Sequence, residues 1–69
     1  MKSWLEQART ISKLSVSDCA QALCQNDATY KNKESNPGTL TLNELRVLML
    51  LFNKEAQRVV WAALEELGS

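Results

Sequence analysis

The sequence predicts a small all-α domain of five helices, and three observations support this fold class. Apolar residues recur at helical spacing in several segments, side chains suited to helix capping precede those segments, and alternation of polar and apolar residues never extends beyond a few positions. The 69 residues are enough for one domain, which we assign to residues 1–69.

Each predicted helix follows a residue that is well suited to cap it. The helices are expected at residues 4–12, 16–23, 27–34, 42–52 and 54–67. The capping residues are Ser3, Ser15, Asn26, Thr41 and Asn53. Asp18 and Glu44 lie three residues after two of these caps and complete capping boxes. The only proline and the first glycine of the chain predict a loop over residues 35–39.

Apolar stripes in the last two helices supply most of the expected core. The stripe of the fourth helix is Leu42, Leu45, Leu48, Met49 and Phe52. The stripe of the fifth helix is Ala56, Val59, Val60, Ala63, Leu64 and Leu67. The residues predicted to lie in the core are Leu23, Leu45, Leu48 and Phe52.

The charge balance argues against a protein that coats nucleic acid without specificity. Eight basic and eight acidic side chains cancel, whereas nonspecific affinity requires an excess of cations that neutralise phosphates. Residues 1–33 carry five basic and three acidic side chains, which weakly favours an anionic partner there. We expect a cytoplasmic protein that does not enter a membrane, since there is no signal-peptide pattern and the longest apolar run, residues 47–52, is too short to span a bilayer.

The residue inventory does not favour an enzyme or a metalloprotein. Histidine, the commonest general base, is absent, and no glycine-rich phosphate loop occurs. With two cysteines and no histidine, no metal site of ordinary ligand count is expected, and no cofactor is implied. Cys19 and Cys24 are five residues apart, too far for a disulfide along one helix, so we expect two buried structural thiols.

Residues 15–34 are the informative part of the chain, because a short helix, a polar break and a mostly polar helix follow one another. A polar helix is rarely stable alone. It persists when a neighbouring helix braces one side and leaves the other for a partner, as in the recognition helix of a helix-turn-helix. The alternative is a solvated surface helix in an ordinary bundle.

Three segments resemble the Cro/phage-repressor (XRE-type) helix-turn-helix family. Leu14 to Leu23 resembles the first half of the motif, usually Leu-Ser-Gln-Glu-Glu-Leu-Ala-x-x-Leu, and residues 28–37 resemble the second half, which leads to Glu and then Asn-Pro. Residues 40–48 resemble the family's fourth helix. The chain departs from the pattern at three positions, Val16 in place of Gln, Cys24 in place of the Gly of the turn, and Asp27 at a position that often reads a base.

The resemblance implies a five-helix lambda-repressor-like domain that binds operator-like double-stranded DNA as a transcriptional regulator, of phage or mobile-element type. The residues implied to contact DNA are Ser17, Asp27, Ala28, Thr29, Lys31, Asn32, Lys33, Asn36 and Thr39. Among them, Ala28 and Asn32 would meet base edges, and Asn is suited to bidentate contact with adenine. Lys31 and Lys33 would lie near the DNA backbone. The family also implies an ion pair between Arg9 and Glu34, for which the alternative is two unrelated surface charges.

A second hypothesis assigns the same fold a protein partner in place of DNA. A neutral helix-turn-helix with Asp27 on its reading face is also compatible with a regulatory adaptor or antirepressor that binds a protein and not DNA.

The fifth helix predicts a homodimer. Trp61 lies about 100° round the helix from Val60, so one side of the helix cannot easily bury both the stripe and the indole. Exposed tryptophan is a frequent interface anchor. The expected interface residues are Phe52, Val60, Trp61 and Leu64. The alternative is that Trp61 packs over the edge of its own core.

Overall fold

All five predicted helices are present in the structure, a computed structural model that describes the backbone of residues 3–68 and the side chains of residues 3–66. The helices are α1 (Trp4–Ile11), α2 (Val16–Ala22), α3 (Asp27–Ser35), α4 (Leu42–Leu51) and α5 (Lys54–Gly68). A 3-10 turn, Pro37–Thr39, lies where the sequence predicts a loop. No strand occurs within residues 3–68, and the all-α prediction is confirmed. Ser69, the last residue of the predicted domain, lies outside the described residues.

Side-chain caps define where the helices begin. At α2 the Asp18 amide donates to Ser15 Oγ at 3.0 Å, and the Ser15 amide donates to the Asp18 carboxylate at 2.9 Å. The backbone hydrogen bond from Ser15 lowers the pKa of Asp18. Thr41 and Glu44 form the same capping box at α4. Asn26 caps α3 by accepting a hydrogen bond from the Thr29 amide at 2.8 Å. Both predicted capping boxes are therefore formed.

The first two helices end in the same way, at a residue with left-handed backbone. Lys13 follows α1 with φ 58°, and Cys24 follows α2 with φ 56°. After α2, the Cys24 amide donates to Gln21 O at 3.0 Å and the Gln25 amide donates to Ala20 O at 2.9 Å, which is a Schellman motif. Glycine is usual at this position because a Cβ in the left-handed region is strained.

The core is formed by all five helices. Its buried apolar residues are Leu5, Ala8, Cys19, Ala20, Tyr30, Leu48, Phe52, Ala56 and Val60. Leu48 and Phe52 are buried as predicted, while Leu23 and Leu45 are half-buried against the core.

Two burial predictions are wrong. Leu42 is 84% exposed, because it lies about 120° round α4 from Leu48, at the first turn of the helix. Cys24 is exposed while Cys19 is buried, because the left-handed backbone at Cys24 ends α2 and places that thiol in the turn.

Asn53 joins the end of α4 to α1 and α5. Its backbone N–H donates to Ser12 Oγ at 3.1 Å, and its side-chain Nδ2 donates to the Ile11 carbonyl at 3.2 Å. Its Oδ1 accepts from the Ala56 amide at 2.9 Å, which caps α5. From this cap α5 packs along α1 and buries Ala56 and Val60. The side chain of Leu67, the last residue of the predicted stripe, lies outside the described residues.

Over residues 3–68, no helix combines the length and apolar character needed to cross a bilayer.

Candidate nucleic-acid interface

The inner face of α3 is held by two buried side chains. Tyr30 is fully buried in the core, and Glu34 is 5% exposed. Arg9 of α1 binds Glu34 through both carboxylate oxygens, with Nε to Oε2 at 2.8 Å and a terminal nitrogen to Oε1 at 3.1 Å. Its other terminal nitrogen donates to the carbonyl of Leu14 at 2.9 Å. The hydroxyl of Ser3 donates to the Glu34 carbonyl at 2.6 Å, so α3 is tied to the start and end of α1.

The outer face of α3 is polar and open. Most residues that the sequence assigns to DNA contact are exposed, namely Asp27, Ala28, Thr29, Lys31, Asn32, Asn36 and Thr39. Ala28, Lys31 and Asn32 lie on one side of the helix, at spacings of three and four residues. Ser35 is exposed on the same side and was not among the predicted contacts. Its position seven residues after Ala28 is the sequence signal that would have found it.

Ser17 and Asp27 bind each other. The Ser17 hydroxyl donates to Asp27 Oδ2 at 2.9 Å, between the first turns of α2 and α3. The carboxylate of Asp27 is therefore turned toward α2 and fixes the relative position of the two helices at this end. Both residues, which the sequence assigned to DNA contact, therefore form a hydrogen bond with each other.

Lys33 does not lie on the open face. Its side chain is 21% exposed, and its ammonium forms an ion pair with Glu44 of α4. Gln25, in the turn between α2 and α3, donates to the same Glu44 oxygen. The hydrogen bond from Lys33, with that from the Thr41 backbone, lowers the pKa of Glu44 to about 2. The expectation that Lys33 lies near a DNA backbone needs correction, because its position on α3 directs it to α4.

The exposed charges on α3 cancel. Glu34 and Lys33 are each engaged in an ion pair, which leaves Asp27 and Lys31 as the exposed charged residues of α3. The face therefore offers hydrogen-bonding side chains and one cation, without an excess of positive charge. Among the described residues, no group of three acidic or cysteine side chains is arranged to hold a metal ion.

The predicted dimer residues separate into two sets. Phe52 and Val60 are buried in the core and have no surface to offer, because the inner face of α5 and the end of α4 pack there. Trp61 is 59% exposed and Leu64 is half-buried. Trp61 and Leu64 line an open groove of about 270 Å³ between α4 and α5. The other residues that line this groove are Leu42, Leu45, Arg46 and Met49. Residues 42–51, which form α4, include more apolar residues than one helix face can bury, and this is the sequence signal that α4 contributes to the surface.

No protein-family model, curated protein or solved structure matches this chain. Its function is therefore inferred from the geometry of α2 and α3 and from the chemistry of the exposed surface.

Proposed function

We propose that this chain is a sequence-specific, double-stranded DNA-binding regulator of phage or mobile-element type. In this proposal, α2, the turn over residues 23–26 and α3 form the helix-turn-helix of a lambda-repressor-like domain. The observation that carries it is the two-sided character of α3. Tyr30 and the Arg9–Glu34 pair fix its inner face, while its outer face is polar and open.

The outer face suits a base-reading role better than a phosphate-binding role. Ala28 is small enough for close approach to a base edge, and the Asn32 amide can donate to and accept from adenine. Lys31 supplies one phosphate contact on the same side of α3. A helix braced on its inner face presents such groups without paying a large ordering entropy on binding.

Selection of bound duplexes from a random pool tests the proposal. We expect enrichment of a defined sequence, with binding that weakens as salt rises. On the selected duplex, Asn32→Ala should cost about 1–3 kcal/mol and relax preference at one base position. Thr10→Ala is the matched control, because Thr10 is an exposed residue of α1 whose hydroxyl donates to the Glu6 carbonyl of the same helix. A pool that shows no enrichment over nonspecific binding contradicts the proposal.

A protein-binding adaptor or antirepressor is the second candidate, favoured by the cancelled charge on α3. Asp27 repels phosphate, and one exposed lysine supplies little nonspecific DNA affinity. Asp27→Asn separates the two functions while keeping an acceptor for Ser17. A DNA-binding face should bind nonspecific duplex more tightly after this change. An adaptor should show no salt-dependent DNA binding with either residue.

A further inference from the structure

All the large apolar side chains that are exposed among residues 3–66 belong to α4 or α5, and the region that they form is called the α4–α5 surface. Leu42 is 84% exposed and Trp61 is 59% exposed, and they stand on opposite walls of the α4–α5 groove. Leu50, on the outer side of α4, is 81% exposed. Large apolar side chains that are exposed near one another and beside charged residues mark interaction sites on protein surfaces. The charged residues beside the α4–α5 surface indicate which kind of molecule covers it.

One row of exposed residues along α5 carries charges that would complement the same row in a second copy of the chain. At about 100° per residue, Lys54, Arg58, Trp61 and Glu65 lie within about 60° of one another. All four are exposed, and neither Arg58 nor Glu65 is in an ion pair within the described part of the chain. Positive charge precedes the indole and negative charge follows it. When two such helices cross antiparallel near Trp61, Arg58 of each faces Glu65 of the other.

We propose that a second copy of this chain covers this surface, forming a two-fold dimer in which the α5 helices cross antiparallel near Trp61. Each indole then packs against the apolar walls around the partner's groove, and two Arg58–Glu65 pairs border the contact. A two-fold interface requires one patch that complements itself, which this row provides. An unrelated protein would require no such symmetry in the charges.

A stable dimer would cover only a modest share of the surface of this chain. A standard interface covers about 800 Å² on each partner. This is about a sixth of the 4691 Å² that the chain exposes. Tryptophan at the centre and arginine at the border are the residue types that carry most binding energy in such contacts. The proposal does not depend on DNA binding, and its test is made without DNA.

Charge exchange tests the predicted geometry. Sedimentation equilibrium of the wild type should show a dimer at tens of micromolar, an affinity ordinary for small interfaces. R58E and E65R each place like charges opposite one another and should weaken dimerisation about tenfold or more. The double variant R58E/E65R restores opposite charges and should recover the dimer. K31E, a charge reversal on α3, should dimerise as the wild type does.

A second measurement follows the indole itself. In a Trp4→Phe background, Trp61 emission should shift to shorter wavelength as the protein concentration rises, because the dimer removes the indole from water. Trp61→Ala should remain monomeric with an unchanged helical circular dichroism spectrum, and its thermal midpoint should not rise with protein concentration, as that of the wild type should.

Three results would overturn the proposal. The first is a wild type that stays monomeric at several hundred micromolar, which would leave this surface for a different partner. The second is a dimer that R58E and E65R leave unchanged. The third is a double variant that is no better than either single one.

Discussion

Arg9 and Glu34 connect the first and third helices through a bidentate ion pair, 2.8 Å and 3.1 Å long, with both side chains largely shielded from water. The hydrogen bond to Glu34 raises the pKa of Arg9, which favours the charged guanidinium. The second terminal nitrogen of Arg9 donates to the Leu14 carbonyl, within the connection between α1 and α2. One side chain therefore positions α3 relative to both α1 and the segment that leads into α2.

Removing Arg9 should destabilise the fold more than removing both partners together. Arg9→Ala leaves the Glu34 carboxylate buried without its cation, and we expect a loss of about 3–5 kcal/mol in the free energy of unfolding. The double variant R9M/E34L removes both charges and leaves none of them buried without a partner, so it should cost less than Arg9→Ala alone. Arg9→Lys, which keeps the charge but not the two-pronged geometry, should fall between wild type and Arg9→Ala. Urea unfolding of the wild type and the three variants measures these losses, and a loss below about 1 kcal/mol for Arg9→Ala would show that the pair does not hold α3.

Cys24→Gly should stabilise the protein. The left-handed backbone at Cys24, with φ 56°, costs a residue with a Cβ about 1–2 kcal/mol, whereas glycine adopts it freely. Glycine gains about 0.4–1 kcal/mol of chain entropy in the unfolded state, so the net gain should be about 0.5–1 kcal/mol. Cys24→Ala is the control, because it removes the exposed thiol and keeps the Cβ. A thermal unfolding midpoint that rises equally for both variants would assign the effect to the thiol.

Local signals predict the helices of this chain well, and long-range contacts explain where the site predictions fail. A capping box acts over four residues, so Ser15, Asp18 and Glu44 can be recognised without knowing the fold. The partner of Lys33 lies eleven residues away on another helix, and only the Lys33–Glu44 contact in the folded chain shows that this lysine is not open to DNA.

The same distinction applies to the apolar residues. Periodicity shows that α5 has one apolar face, and Ala56 and Val60 are buried as that face predicts. Helix 4 carries too many apolar residues for one face, so its pattern does not decide between burial of Leu42 and burial of Leu48. The position of α4 in the bundle determines that Leu48 is buried and Leu42 is exposed, on the wall of the groove that faces Trp61.

Leu48 and Leu50 provide a matched test of that packing. Leu48 is fully buried and Leu50 is 81% exposed, although they lie two residues apart on α4. Leu48→Ala should lower the free energy of unfolding by about 2–5 kcal/mol through lost burial and the cavity that it leaves. Leu50→Ala removes the same atoms from the surface and should change it by less than about 0.5 kcal/mol. Chemical denaturation measures the difference, and equal losses would mean that α4 is rotated from its position in this structure.

Glu44 should make the stability of the fold depend on pH in the acidic range. Its pKa in the folded protein is about 2, below the usual value of 4.5, because Lys33 and the Thr41 backbone bond to the carboxylate. A lowered pKa contributes stability that is present above about pH 4.5 and is lost as the pH falls toward 2. Glu44→Gln keeps a side chain that can complete the capping box and removes the charge. At pH 7 this variant should be less stable than wild type by about 1–3 kcal/mol. The difference should shrink as the pH falls toward 2, where the wild-type carboxyl is half protonated, and should disappear only below that pH. A difference that is constant from pH 7 to pH 2 would assign the loss to packing.

Lys31 and Lys33 should differ in their effect on DNA binding although both belong to α3. Lys31 is exposed on the outer face, while the ammonium of Lys33 is paired with Glu44. Lys31→Ala should weaken binding to all duplexes and reduce the slope of log K against log salt by about one, because one phosphate contact is lost. Lys33→Ala should leave the slope unchanged, and its effect should appear in the free energy of unfolding, because it removes the partner of Glu44. Titration of one selected and one unrelated duplex across a range of salt concentrations measures both slopes. The reverse result, with the slope sensitive to Lys33 and not to Lys31, would mean that DNA approaches from the α4 side of α3 and opens the Lys33–Glu44 pair on binding.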